Sequence, residues 1–268
     1  MKKIIIAAIV MSSIVACTRN AVTGRKQLAL FPEQTLQQEA LSQYKSFLSQ
    51  NQVLSQNVNK DAEMVRRVGT RIAKAITTYY TQKGLEEQLS GYNWEFNLVN
   101  SKEVNAWCMP GGKVVVYTGL LPITQNEAAL AVVLGHEITH AVAKHGNERM
   151  SQAAFAQGLS VAGDLFTSGN PKANNLFRNV FAPTAQIGVL LPNSRNQELE
   201  ADKFGLFFAA MAGYNPREAI PFWQRMAQGG GQKPPEFLAT HPSDDKRIAK
   251  LQEYMNEALT YYKPVKTY

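Results

Sequence analysis

The sequence predicts one helix-rich α+β domain with a small antiparallel sheet placed directly before its central helix. Several long segments repeat apolar residues every three or four positions, which is the helical period. Between residues 94 and 117, short runs rich in β-branched and aromatic residues indicate strands instead. The chain has 268 residues, enough for a sizeable core. It has only two cysteines, so that core rather than a disulfide framework must supply stability.

The first 16 residues are typical of a secretion signal. Two lysines precede an apolar run over residues 4–11, which is too short for a comfortable membrane span. The four residues ending at Cys17 resemble a bacterial lipobox, in which the cysteine is lipidated; an ordinary signal with an incidental cysteine is the alternative. We therefore expect a lipoprotein signal peptide over residues 1–16, a lipidated tether over 17–32 and one domain over 33–268.

The charge of the chain argues against a nucleic-acid partner. The formal net charge is +7, and it falls to +5 if Lys2 and Lys3 leave with the signal peptide. This mild excess could favour an anionic membrane surface. Nucleic-acid binding would need a basic cluster with interleaved aromatic residues, and none is found in the sequence.

The domain is predicted to begin with two amphipathic helices and a small sheet. The helices are expected over residues 33–50 and 60–83, and the strands over 94–99, 104–108 and 113–117, with a Pro-Gly-Gly turn at 110–112.

The last two strands form a hairpin that leads into the central helix. A strand ending beside a metal can present its edge to an extended peptide, which makes Asn105, Ala106 and Trp107 candidate substrate-binding residues. A purely structural hairpin remains the alternative.

The central helix is predicted over residues 126–146. Thr124 followed by Glu127 is the pattern of a capping box, and Gly146 offers a stop. Good helix formers occupy the positions between them.

This helix carries the pattern HExxH. His136 and His140 lie one turn apart on the same face and can bind one Zn²⁺, while Glu137 is rotated away and can accept a proton from a water molecule. Two surface histidines on an amphipathic helix are the alternative, but the flanking residues are apolar. His145 is nine residues beyond His136, so a continuous helix would place it on the opposite face.

The next segments supply a candidate for the third ligand. Residues 147–192 are expected to form two helices split near residue 168, as a lid or as core filler. On a helix over 194–212, Glu198 and Asp202 open a line that continues with small residues. A matching line on the central helix would let the two approach closely. Glu198 could then reach the metal and Asp202 could accept the far N–H of a ligating histidine, whereas Glu200 points away. The alternative is a charged first turn that complements the helix dipole.

The C-terminal part is predicted to contain two more helices, over residues 216–228 and 243–262. A glycine-rich loop over 229–235 separates them, followed by His241.

Together these motifs resemble the zinc metallopeptidases that include the CAAX prenyl endopeptidase and HtpX. The resemblance covers about residues 90–260, and the chain looks like the soluble lipoprotein or periplasmic branch, similar to LoiP and BepA. Because the sequence ends near residue 268, we expect no C-terminal tetratricopeptide array, and no docking role of such an array is carried over. The matching motifs are HEITH, Ser194-Arg195-Asn196-Gln197-Glu198-Leu199-Glu200-Ala201-Asp202, Thr240-His241-Pro242 with Arg247, and the run of Asn105-Ala106, Pro110-Gly111-Gly112 and Gly119-Leu120-Leu121.

The resemblance implies a gluzincin-type domain with one Zn²⁺ at His136, His140 and Glu198 and with Glu137 as the base. It also places His241 and Arg247 at the cleft. The implied activity is endoproteolysis of damaged or misassembled cell-envelope proteins by a protein anchored through lipid on Cys17. The expected location is the bacterial outer membrane, facing the periplasm.

Two questions stay open at this level. The rival function is a periplasmic chaperone or assembly factor that binds unfolded outer-membrane proteins and seldom cleaves them. His241, alone or with Arg247, could act in catalysis by donating a hydrogen bond to the oxyanion, or its imidazole could occupy the fourth position on zinc until substrate arrives.

Overall fold

The computed structural model describes residues 17–156, 171–181, 194–228, 237–238, 241 and 245–264. The predicted signal peptide and glycine-rich loop lie outside these residues, as does much of the predicted lid. None of the described helices is both long and apolar enough to cross a membrane.

The helices follow the predicted order closely. Short 3₁₀ helices occur at Glu86–Leu89, Thr118–Leu120 and Pro216–Glu218. The α-helices among the described residues are α1 Glu33–Gln50, α2 Lys60–Gln82, α3 Leu121–Thr124, α4 Glu127–Val142, α5 His145–Ala156, α6 Pro171–Phe181, α7 Ser194–Met211, α8 Ala219–Gln228 and α9 Asp245–Tyr261.

Five strands form two small sheets in the described part of the chain. They are β1 Cys17–Arg19, β2 Lys26–Leu28, β3 Glu95–Val99, β4 Ala106–Met109 and β5 Lys113–Tyr117. The hairpin of β4 and β5 is antiparallel, as predicted, but β3 pairs in parallel with β5, which gives the order β3-β5-β4 and a mixed sheet. The prediction of a purely antiparallel sheet is therefore wrong for β3. After β3 the chain forms β4 one strand position away, and β5 then fills the position between them, so β4 lies at the edge.

The central strand β5 separates two hydrophobic cores. Val114 and Val116 face the larger core, which contains α2, α4 and α7, whereas Val115 and Tyr117 face the smaller core under α1, α5 and α6. Every residue of α4 from Ala129 to Val142 is buried. A helix that is apolar all round is typical of the centre of a domain, and here it places its few polar side chains in the interior.

Both ends of α4 differ in detail from the prediction. Asn126, rather than Thr124, is the N-cap, and its side chain accepts a hydrogen bond from the Ala129 amide. The helix ends at Val142 because Lys144 adopts a left-handed conformation with φ 58°. The predicted stop at Gly146 is wrong, since that residue belongs to α5, where it makes room for the Phe181 ring.

Residues 17–32 form an N-terminal arm that packs on the domain. The Asn20 side chain is buried and donates to the Ala143 carbonyl at 2.8 Å. Farther along, the Leu30 amide donates to Ser151, and Phe31 enters the smaller core. The sequence sets this segment apart as a tether, but in the structure its residues contact the residue that follows α4, helix α5 and the smaller core.

Candidate metal centre

Two glycines let α4 and α7 approach closely at the site. A Cβ atom on Gly135 would lie 2.5 Å from the Gly205 carbonyl oxygen, and one on Gly205 would lie 2.6 Å from the His136 amide nitrogen. Both distances are too short for real atoms, so larger residues would force the helices apart. The predicted close pairing of these helices is confirmed.

This packing brings four side chains to one point. The ligand atoms of His136, His140, Glu198 and His241 all lie within 4.8 Å of one another. The Nε2 atom of His136 is 3.1 Å from the Nε2 atom of His140 and 3.1 Å from the Nδ1 atom of His241. The Glu198 carboxylate completes the cluster at 2.9–3.3 Å from the three rings. All three histidines are buried.

The cluster has the chemistry and spacing of a zinc site. Ligand atoms at 2.0–2.1 Å from a tetrahedral zinc ion are about 3.3 Å apart, close to the separations seen here. Burial lowers the pKa of His136, but hydrogen bonds with Asp202 and Glu198 outweigh it and raise that pKa to about 9. These carboxylates therefore favour positive charge at this point, and a bound dication would supply it.

The carboxylate of Asp202 orients His136. Its Oδ1 atom is 3.0 Å from His136 Nδ1, so the ring donates its Nδ1 proton and keeps the Nε2 lone pair for the metal. Burial raises the pKa of Asp202, but the charge of Arg247 and the His136 hydrogen bond hold it below its ordinary value. Arg247 donates two hydrogen bonds to this carboxylate and lies 3.5 Å over the centre of the Trp223 ring.

Glu137 faces the cluster without ligating. Its Oε1 atom is buried and accepts no hydrogen bond from the described residues, although His241 Nε2 lies 3.3 Å away. Burial raises the pKa of Glu137, which makes its carboxylate a stronger base. A buried carboxylate oxygen that accepts no hydrogen bond and lies beside a metal position suits a proton acceptor.

The segment that carries His241 is hydrogen-bonded on one side to the residues before β4 and on the other side to α9. Phe237 donates its amide to the Val104 carbonyl just before β4, and the His241 amide donates to the Phe237 carbonyl. On the other side, the Arg247 guanidinium donates to the His241 carbonyl at 3.2 Å. These contacts bring the His241 ring to the metal cluster from a separate segment.

The predicted substrate-binding residues divide into two groups. Strand β4 is the edge of the sheet in the described residues, and its pairing leaves the backbone groups of Ala106 and Cys108 on the outer side. Asn105 is buried, and its side chain accepts from the Ala106 amide. The Trp107 indole is also buried in the smaller core, where it contacts Phe47 edge-to-face. The Trp107 side chain packs beneath the strand. What the predicted residues present on the outer edge of β4 is therefore backbone and not side chain.

Sequence reasoning missed a polar chain behind His140. Because α4 ends at Val142, His145 turns back towards the metal side, and its Nδ1 atom lies 2.9 Å from His140 Nδ1. Glu200, which the helical wheel directs away from the metal, contacts the other nitrogen of His145 at 3.0 Å. Neither residue is in the ligand cluster, as expected. The prediction that His145 lies on the opposite face is wrong.

Comparison with known proteins agrees with this geometry. Residues 59–255 match peptidase family M48. The chain is similar to the mitochondrial metalloendopeptidase OMA1 of Arabidopsis thaliana, with 38% identity over 179 residues that cover 66% of this chain and 35% of the relative. Its similarity to the protein of that name from Schizosaccharomyces pombe is 35% over 205 residues, covering 73% and 59%.

A bacterial relative is also similar. The beta-barrel assembly-enhancing protease of Yersinia pestis is 32% identical over 170 residues, which cover 61% of this chain and 35% of the relative. The chain thus spans 35–59% of the length of these three proteins.

Proposed function

Because the chain belongs to peptidase family M48, we propose that it is a zinc-dependent endopeptidase with one Zn²⁺ held by His136, His140 and Glu198. The observation that carries this proposal is the convergence of those three side chains beside Glu137, whose buried oxygen has no hydrogen bond within the described structure. A structural zinc site has no need of an adjacent free base.

The residues around the metal divide the chemical work. Bound zinc would lower the pKa of water and polarise the scissile carbonyl. Glu137 takes a proton from the attacking water and delivers it to the leaving amine. Asp202 holds His136 in the ligating tautomer, and Arg247 keeps Asp202 ionised. The outer edge of β4 pairs with the extended backbone of the substrate, which holds many sequences in one register.

Digestion of casein by the purified protein tests this activity. We expect cleavage that stops when a chelator removes the metal and returns when zinc is added. Cleavage that persists after complete zinc removal, checked by metal analysis, would contradict the metal-dependent mechanism.

We further propose that the substrates are damaged or misassembled proteins of a bacterial cell envelope. The signal-like N-terminus, with residues that resemble a lipobox, supports this location, and the name of the Yersinia pestis relative connects such a protease with β-barrel assembly. The OMA1 relatives are mitochondrial by name, so the N-terminal segment carries the argument for an envelope. The second candidate, a chaperone that binds unfolded outer-membrane proteins, predicts binding without cleavage.

Replacing Cys17 with serine tests the proposed anchor. We expect the wild-type protein in the membrane fraction and the Cys17→Ser variant in the soluble periplasmic fraction or unprocessed, because serine cannot carry the thioether-linked lipid. The control is Thr18→Ala, a change of the exposed residue that follows Cys17. An unchanged distribution of Cys17→Ser would show that another surface binds the membrane.

We also propose that His241 blocks the fourth zinc position in the resting protein. Its Nδ1 atom is 2.9 Å from Glu198 Oε2 and 3.1 Å from His136 Nε2, which are ligand-to-ligand distances. Its Nε2 atom approaches Glu137, so the same ring also covers the base. An open catalytic site needs that position for water.

A His241→Ala variant is therefore expected to cleave unfolded casein faster than wild type. Removing the ring opens the coordination position and uncovers Glu137. Initial rates should be measured together with zinc content. A loss of turnover of about a hundredfold with full zinc occupancy would instead identify His241 as a donor to the oxyanion.

A further inference from the structure

We propose that His145, Glu200 and Arg25 are positioning residues for the metal ligand His140, so that the N-terminal arm forms part of the zinc site. The three side chains form a continuous polar chain from the arm to the ligand. This inference rests on the metal site of the proposed function, but it concerns zinc affinity and does not depend on the substrate.

Hydrogen-bonding rules fix the direction of this chain. When His140 uses Nε2 for the metal, its Nδ1 atom carries the proton. His145 Nδ1, 2.9 Å away, must then accept a hydrogen bond from that N–H, so the proton of His145 is on its Nε2 atom. That nitrogen lies 3.0 Å from Glu200 Oε2, an acceptor, so each contact has one donor and one acceptor. The other tautomer of His145 would place two N–H groups face to face.

Arg25 completes the chain from the arm. Its Nε atom donates to Glu200 Oε1 at 2.7 Å, and its two terminal nitrogens donate to the two Glu148 oxygens at 2.6 Å. Glu148 lies on α5, three residues after His145, and Glu200 lies on α7. One guanidinium therefore joins the two helices whose separation sets the distance between His145 and Glu200.

Burial makes the chain effective. His145 is fully buried and the Glu148 side chain is only 3% exposed, so water competes weakly for these hydrogen bonds. Arg25 is the outermost member, with 28% of its side chain exposed. The arm thus supplies a guanidinium that holds the Glu200 carboxylate in place, and that carboxylate accepts from His145 Nε2 and keeps His145 in the accepting tautomer towards His140.

Zinc affinity measured by competition with a chromophoric chelator tests this proposal. We expect His145→Phe to weaken zinc binding by about 10–100-fold, because His140 loses the partner of its Nδ1 proton. Glu200→Gln and Arg25→Gln act through His145, so smaller losses of about 3–10-fold are expected. Lys26→Gln, an exposed position on the same arm, is the matched control and should bind like wild type.

A double variant separates positioning from simple stability. In a His145→Phe background, Glu200→Gln should weaken zinc binding no further, because its effect passes through the missing ring. Thermal unfolding of the zinc-free proteins measures any general loss of stability. Additive effects of the two changes, wild-type affinity in His145→Phe, or losses fully matched by lower zinc-free stability would overturn the proposal. Failure of the wild-type protein itself to bind zinc would instead refute the proposed metal centre.

Discussion

Replacing Glu198 with alanine is expected to leave the purified protein largely without zinc. Glu198 contacts all three histidines of the cluster, and its loss removes both a ligand and the only carboxylate among the four groups. Burial raises the pKa of Glu198, but the neighbouring His241 and His140 hold it well below its ordinary value, so the wild-type ligand is ionised. We expect an affinity loss larger than the roughly 10–100-fold that follows loss of an outer partner.

Glu200→Ala provides a sharp comparison, because the two acids are two residues apart on α7. Metal analysis after purification should find about one zinc per chain in Glu200→Ala, whose weakening of affinity is modest, and much less in Glu198→Ala. Equal zinc contents in the two variants would mean that the third ligand lies elsewhere. Glu198→Ala should also lose casein cleavage, whereas Glu200→Ala should cleave when zinc is in excess.

The order of helices and the central ligand pair could be predicted because they depend on local spacing. His136 and His140 share a face of any α-helix, whatever surrounds it. The pairing of α4 with α7 was also accessible, since small residues such as Gly205 on one helix need a close neighbour to fill the space beside them. These features follow from helical geometry and side-chain size alone.

Other features depend on contacts between distant segments and had no such signal. The left-handed conformation of Lys144 ends α4 early, and this conformation is not one that a lysine in the sequence predicts. That one residue turns His145 back to His140 instead of to the opposite face. The contribution of the arm could not be predicted either, because Arg25 binds Glu148 and Glu200, which are 123 and 175 residues away in the chain.

The site also shows what a helical wheel could not predict about Glu200. The wheel directs this side chain away from the metal, and the structure agrees that it is no ligand. However, the space it points into holds α5 rather than solvent, and α5 presents His145 there. A residue can therefore face away from a metal and still act on it through the helix behind.

Replacing Glu137 with glutamine is expected to remove nearly all proteolysis while leaving zinc in place. Glutamine has the size of glutamate but cannot accept the proton of the attacking water, and loss of a general base costs about 10²–10⁴ in rate. Glu137 does not belong to the ligand cluster, so the metal content should stay at the wild-type level. The measurements are initial rates of casein cleavage and zinc content on the same samples.

Glu87→Gln, an exposed change of the same kind, is the control and should cleave like wild type. The result also separates the two candidate functions. If Glu137→Gln binds unfolded protein but no longer cleaves it, while the wild type cleaves, the chain is a protease. Replacing one carboxylate oxygen then separates binding from hydrolysis. Wild-type cleavage by Glu137→Gln would contradict the assignment of the base, since the buried Oε1 atom beside the cluster would then have no part in the reaction.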